Sequence, residues 1–355
     1  MATSLTPDPG HVDYNRAGTY PISPSFASVP APSCIIACKA QVMAITDRVR
    51  SECAWVASSS TNVHVIEAEI THYARQLEDP STHPKTAKGG SSESPAQRED
   101  EAAYWLTLDA VNFGSGWFPT LRKRSEPTGY KTIAAGIRRR FDHSGRWTPA
   151  QLTALTDAEL AEWLDQDPEH DLIVLFVQSL QDLGANVQRL YGGSFAAVVD
   201  GAAGSAVRLV QTLAGWRCFA DVSVYEGREV PFLKRAQIAA ADLHRAGVAD
   251  FDDLEQLTMF ADNLVPHVLR LDGVLWFDPG LVARIERGEL IKHGSPEEVE
   301  IRACAVHAVE LLVAAASESI PTHPTAAQID EILWNRGQGP EYKAVPRHRS
   351  RSTAY

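Results

Sequence analysis

Lys234 lies in a stretch, Val230 to Arg245, whose apolar residues recur at helical spacing, and Lys234, Ile238 and Ala241 share one face of that helix. An ammonium on such a face either projects into a site that uses it, or snorkels, its stem covering the core while its head reaches water. Gly247, which tolerates positive φ, is the expected stop. Downstream, Thr258-Met259-Phe260-Ala261-Asp262-Asn263-Leu264-Val265-Pro266 puts Asp262 after an apolar turn and four residues before a proline, where a helix should break. A carboxylate there caps the next helix, faces a pocket, or does both.

Asn112-Phe113-Gly114-Ser115-Gly116-Trp117-Phe118-Pro119 sets two glycines among three aromatics. Backbone and rings could then approach a flat heteroaromatic ligand; a core aromatic cluster at a tight turn is the alternative. Gly192-Gly193-Ser194-Phe195 lacks both GxxxxGK[ST] and GxSxG, so it reads as a turn. Glu298 and Arg302, at i,i+4, have the spacing of a surface ion pair. The basic segment Pro346-Arg347-His348-Arg349-Ser350-Arg351 is either a phosphate contact or a solvated tail. His244, His267 and His307 are expected to be structural or peripheral.

Helices must carry most of these residues, and the fold class expected is mainly α. Thr156 and Glu159 form a capping box ahead of Leu160, Trp163 and Leu164. Ser295-Pro296-Glu297-Glu298 opens another helix with one buried face through Ile301, Cys304, Ala305, Ala308 and Leu312. Leu172 to Phe176 and Gly273 to Phe277 are short apolar runs that suit strand or buried helix equally. Residues 1–33, rich in Pro, Ser, Thr and Gly, read as a flexible leader to a domain over 34–355, and residues 84–100 as a polar surface loop between helices.

The 355 residues are enough for a sizeable core. With 33 basic against 45 acidic residues, the net charge of -12 opposes tight, sequence-independent binding to a long polyanion such as tRNA, but not to a small nucleotide. Five cysteines, Cys34, Cys38, Cys53, Cys218 and Cys304, show no CxxC spacing, which indicates neither a disulfide framework nor a zinc site. They are expected as reduced thiols in a cytoplasmic protein. No basic-then-apolar leader and no apolar run near the ~18 residues of a membrane span occur, so neither secretion nor membrane insertion is expected.

Several blocks together resemble the queuosine salvage protein family: Leu108-Asp109-Ala110-Val111-Asn112-Phe113, Gly192 to Phe195, Phe232-Leu233-Lys234-Arg235-Ala236-Gln237-Ile238 and Thr258 to Asp262. Val265 to Leu269, Glu298-Val299-Glu300-Ile301-Arg302, Asp330 to Trp334, and His348 to Arg351 with Tyr355 continue the pattern in order. The resemblance implies a compact helical domain like the helix-hairpin-helix DNA glycosylases, with no metal or organic cofactor. It implies hydrolysis of the N-glycosidic bond of queuosine 5'-phosphate to queuine and ribose 5-phosphate. It assigns catalysis to Asp262, on the sugar side, where it would attack C1' or orient a water. Lys234 would be its partner, positioning Asp262, donating towards phosphate or base, or holding the carboxylate in its charged form.

For substrate binding the resemblance suggests Phe113 or Trp117 against the flat ring, Asn112 at its edge, and Asp109 and Glu300 for the cationic amine of the cyclopentenediol arm. Arg349, Arg351 or the Tyr355 hydroxyl would receive the phosphate. Phe195 and Arg302, within matching blocks, complete the binding candidates. Arg347 stands where the family commonly has an apolar residue. The partners expected are the substrate and product alone, handled by a monomer with no direct tRNA or DNA binding. Two other functions compete: a DNA or RNA base glycosylase, which should show a basic face, and a non-catalytic queuine-binding protein, which would not require both Lys234 and Asp262.

Overall fold

The computed structural model describes residues 43–77, 94–123, 128–317, 320 and 323–355. The expected leader at 1–33, Cys34, Cys38 and the first ten residues of the expected loop lie outside them. The rest of that loop is mostly helix. Ser94 accepts the Gln97 amide at 3.2 Å and Pro95 takes the first helical position of Pro95–Ala110, so the helix starts within the stretch read as polar loop.

Fifteen α-helices and four short strands occur among the described residues, all within one unit, Met43–Tyr355. The fold is mainly α. Its spine is the helix Pro296–Ala316, started by Ser295, whose hydroxyl accepts the Glu298 amide. Glu298 reaches back to the Gly294 amide at 2.9 Å, one residue before the cap. The nine residues Glu298 to Val306 are all buried, so this helix is enclosed on every side rather than on one face. It packs against Ile45–Ser59, Glu67–Ala74, Val265–Leu271 and Ala326–Arg336.

Local signals place most of the other helices. Asp157–Leu164 begins with the Thr156/Glu159 capping box. Leu172 to Phe176 falls in the 21-residue helix Asp171–Tyr191, whose length decides that ambiguous run in favour of helix. Leu275–Phe277 is instead a strand, paired antiparallel with Val63–Val65 in the register Val63↔Phe277.

The second strand pair changes the start of the Lys234 helix. Val222–Tyr225 and Arg228–Pro231 form a hairpin closed by Glu226 and Gly227, both at positive φ (46° and 79°), the two-residue turn that matches strand twist. Val230 therefore pairs with Ser223 rather than opening a helix, and the helix runs only over Lys234–Arg245. Leu233 sits between them in the left-handed region at φ 57°. The turn is held by Asp221, whose carbonyl accepts the Phe232 and Leu233 amides at 3.0 and 3.3 Å. Among the described residues no helix is long and apolar enough to cross a membrane.

Candidate active site

The hairpin delivers Lys234 as the first residue of its helix, and there the Lys234 amide donates to Asp221 Oδ2 at 3.0 Å. The side chain does not snorkel. It is 5% exposed, and Nζ donates to the carbonyl and to Oδ1 of Asn112 at 2.8 and 3.0 Å, which leaves one N–H uncommitted. Burial lowers the ammonium from its ordinary 10.5 to about 8, the Asp262 carboxylate opposes that, and the neighbouring Arg235 guanidinium adds to it.

Asp262 receives amides at the start of the helix Val265–Leu271, which fits the capping reading, and its side chain remains half-buried. Its Oδ1 accepts the Leu264 and Val265 amides at 2.7 and 3.2 Å, while Oδ2 takes no hydrogen bond from the described residues. Of the carboxylates around Lys234, Asp262 exerts the strongest pull on its charge. Two more carboxyls flank the pair. Asp330 accepts the Phe260 amide at 3.0 Å, and burial, then the nearby Asp262 charge, push its proton affinity well up. Asp109 is fully buried, its Oδ2 has no hydrogen-bond partner, and burial followed by the Asp242 charge raises it strongly. Asn112 links it to Lys234 through an Nδ2 contact of 3.5 Å to Asp109 Oδ1.

The glycines of the 112–119 segment serve a tight docking. Gly114 has φ 95° and its amide donates to the Tyr355 carbonyl at 2.9 Å; a Cβ on Gly116 would fall onto the Ser350 backbone carbonyl. Phe113 is enclosed, edge-on to Phe176 at 4.9 Å between centroids, with the Arg235 guanidinium 4.9 Å from its ring centre. Trp117 donates from Nε1 to Asp171 at 3.4 Å and carries the Arg351 guanidinium 5.6 Å over its ring.

The pair Glu298 and Arg302 is not at the surface: both side chains are fully buried, 3.7 Å apart. What distinguishes them from a surface pair is Asp221, whose carboxylate takes Arg302 Nη1 and Nη2 at 3.0 and 2.7 Å. Burial opposes the Arg302 charge, but Asp221 and Glu298 outweigh it and hold the guanidinium protonated beyond its ordinary range. Glu300 accepts the Thr61, Asn62 and Val63 amides, the Asn62 side-chain amide and the Tyr225 hydroxyl, so its carboxylate is fully engaged in the fold. Phe195 is fully buried at the start of Phe195–Asp200, with its amide donating to Glu99. The basic segment is docked rather than solvated: His348 and Ser350 are buried, and Arg349 donates to the Gly288 carbonyl at 3.0 Å. Tyr355 is 2% exposed, its hydroxyl 3.4 Å from His348 Nε2.

One residue escapes the sequence reasoning, and one that it named only within the basic segment gains a place. Asp221 could have been found from the alternation Val222, Val224 and the Glu226-Gly227 turn, which together place it opposite Phe232. Arg347 is half-buried in the field of Asp262, and its guanidinium makes no hydrogen bond to the described residues. Two open depressions, of about 440 and 460 Å³, lie elsewhere, around Tyr73, Asp272 and Arg336 and around Arg98, Glu99 and Ser194. Neither lining includes Lys234 or Asp262.

A mainly helical protein with a buried, depressed lysine in the field of a half-buried aspartate has the groups for acid–base or electrostatic work on a polar bond. Comparison with known proteins narrows this. The Queuosine salvage protein family matches residues 92–355, and the chain belongs to it. It is similar to a queuosine 5'-phosphate N-glycosylase/hydrolase of Sphaerobacter thermophilus, 37% identical over 267 residues, 73% of this chain and 82% of that one. Proteins of the same description from Mus musculus (29% over 286 residues, 74% and 84%) and Dictyostelium discoideum (31% over 260 residues, 72% and 78%) are also similar.

Proposed function

We propose that this chain hydrolyses the N-glycosidic bond of queuosine 5'-phosphate and releases queuine for reuse in tRNA modification. The observation that carries this reading is the buried Lys234 ammonium in the field of the half-buried Asp262 carboxylate, in a chain of that family. The plan would be that of the helix-hairpin-helix glycosylases, in a cytoplasmic monomer that binds the nucleotide and not tRNA itself.

Breaking the C1'–N9 bond leaves positive charge on the ribose and negative charge on the base. Asp262 serves the sugar side. With Oδ1 held by two helix amides, Oδ2 is the oxygen that faces the developing cation and orients a water. The water oxygen bonds to C1', and its released proton balances the one the base gains, giving ribose 5-phosphate and queuine. Queuine has carbon in place of N7, so protonation there cannot activate the leaving group. Lys234 keeps one N–H beyond the two engaged by Asn112, which serves Asp262 or the base edge.

Asp109, with its unpartnered Oδ2, suits the cationic amine of the cyclopentenediol arm. Of the two rings named for the flat base, Phe113 is enclosed by Phe176 and Arg235, and Trp117 is buried with Arg351 over its ring. Arg347 joins Arg349 and Arg351 as the source of charge for the phosphate.

The test is chromatographic detection of free queuine after purified protein is incubated with queuosine 5'-phosphate, with Asp262→Ala alongside. Release by the wild type and its loss in the variant is the expected result. Folded wild type that binds the nucleotide without releasing base would make the chain a binding protein instead.

A further inference from the structure

Arg302 touches neither member of the proposed catalytic pair, but it holds a neighbour of each. Its Nη1 and Nη2 grip Asp221, which caps the Lys234 amide, while its Nε donates at 3.0 Å to the carbonyl of Ala261, the residue before Asp262. One rigid, planar fork therefore spans the two loops that carry Lys234 and Asp262. The fork is itself sandwiched. The Phe232 ring lies 3.9 Å from the guanidinium carbon and the Tyr355 ring 4.6 Å from it. Phe232 precedes Lys234 by two residues, so one jaw belongs to the hairpin that delivers the lysine.

Tyr355 forms the other jaw and connects to the third part of the site. Its carbonyl accepts the Gly114 amide at 2.9 Å, two residues from the Asn112 that holds the Lys234 ammonium. Tyr355 is 2% exposed and Arg302 fully buried, so both belong to the packed interior behind the pair. We propose that Arg302, clamped between Phe232 and Tyr355, is the positioning residue that sets the separation of Lys234 and Asp262, and that Tyr355 is the residue that locks it. This rests on the assignment of Lys234 and Asp262 as the reacting pair.

The experiment compares Tyr355→Ala, Tyr355→Phe and Arg302→Lys with Leu213→Ala, a core truncation on the helix Ala206–Ala214. Each is assayed on queuosine 5'-phosphate at a temperature where circular dichroism shows it folded. Tyr355→Ala and Arg302→Lys are expected to lose roughly 100-fold in kcat with KM within about threefold, the pattern of lost transition-state positioning. Tyr355→Phe keeps the ring and is expected to stay within about threefold of wild type, and Leu213→Ala should retain its kcat. A folded Tyr355→Ala with wild-type kcat overturns the proposal, and so does a raised KM with kcat unchanged, which would make Tyr355 a substrate contact.

A second readout does not depend on turnover. The Lys234 ε-carbon, assigned in 13C spectra by its absence from Lys234→Arg, should titrate near 8 in the wild type and move towards the ordinary lysine range in Tyr355→Ala as the clamp opens to water. An unmoved titration overturns the clamp. A moved titration with a wild type that releases no queuine upholds the clamp and sinks the hydrolase reading.

Discussion

If Lys234 acts as an ammonium, raising the pH should switch the enzyme off while leaving it folded. Burial is the main cause of its fall from 10.5 to about 8. At roughly 1.4 kcal/mol per pH unit, that corresponds to about 3 kcal/mol of differential free energy between the two protonation states. Between about pH 8 and 10.5 the unfolded chain holds the lysine proton and the native chain has released it, so the unfolded state binds more protons and the Lys234 contribution to stability rises with pH. Activity should move the other way, kcat/KM falling about tenfold per pH unit above a midpoint near 8. These opposite signs separate loss of the catalytic form from unfolding. The assay is kcat/KM for queuosine 5'-phosphate from pH 6 to 10, with urea midpoints measured at each pH. An alkaline limb that begins near 10, or one that tracks the urea midpoint downwards, would refute the reasoning.

Four further outcomes follow from particular contacts. Asp221→Asn removes the nearer of the two carboxylates on the fully buried Arg302, Glu298 remaining at 3.7 Å, and should cost about 3 kcal/mol in urea unfolding. Asp109→Asn removes a buried carboxyl whose proton affinity is raised; that carboxyl penalises the native state increasingly as pH rises past the ordinary aspartate range, so the variant should gain stability over wild type between pH 5 and 8 while its KM rises about tenfold or more. Arg347→Ala should raise KM for the 5'-phosphate at least about tenfold and leave the unphosphorylated nucleoside unaffected, as steady-state kinetics on both will show. Gly116→Ala forces the Ser350 backbone away and should lower thermal stability by several degrees, with kcat reduced in proportion to the displaced loop.

Short-range signals were readable without a structure, and long-range ones were not. The Thr156/Glu159 box, the Ser295 start and the break at Asp262 are each set within about four residues, where side-chain and backbone groups meet whatever the rest of the chain does. Val230 was drawn into a helix because its strand partner, Ser223, is visible only once the Glu226-Gly227 turn is recognised. Glu298 and Arg302 have the spacing of an exposed pair; their helix is enclosed by distant elements, and Asp221, 81 residues away from Arg302, supplies the second carboxylate. Glu300 looked available to a cationic ligand because the three amides it satisfies belong to Thr61, Asn62 and Val63, near the other end of the described chain. The proposed pair itself is indicated by family blocks, while what holds it in place is written in contacts that no local pattern encodes.

The wide separation of those contacts along the chain has a consequence for biosynthesis. The Asp221 cap on Lys234 closes a loop of only 13 residues and can form as soon as the hairpin is made, whereas the arginine that fixes Asp221 lies 81 residues further on. At about 5–20 residues per second, roughly 3 to 14 s pass between synthesis of Lys234 and of Arg302. For that interval the nascent chain carries Lys234 and Asp221 without the arginine that brackets them. The bracket on Lys234 can therefore close only after Arg302 has been made, however early the hairpin forms.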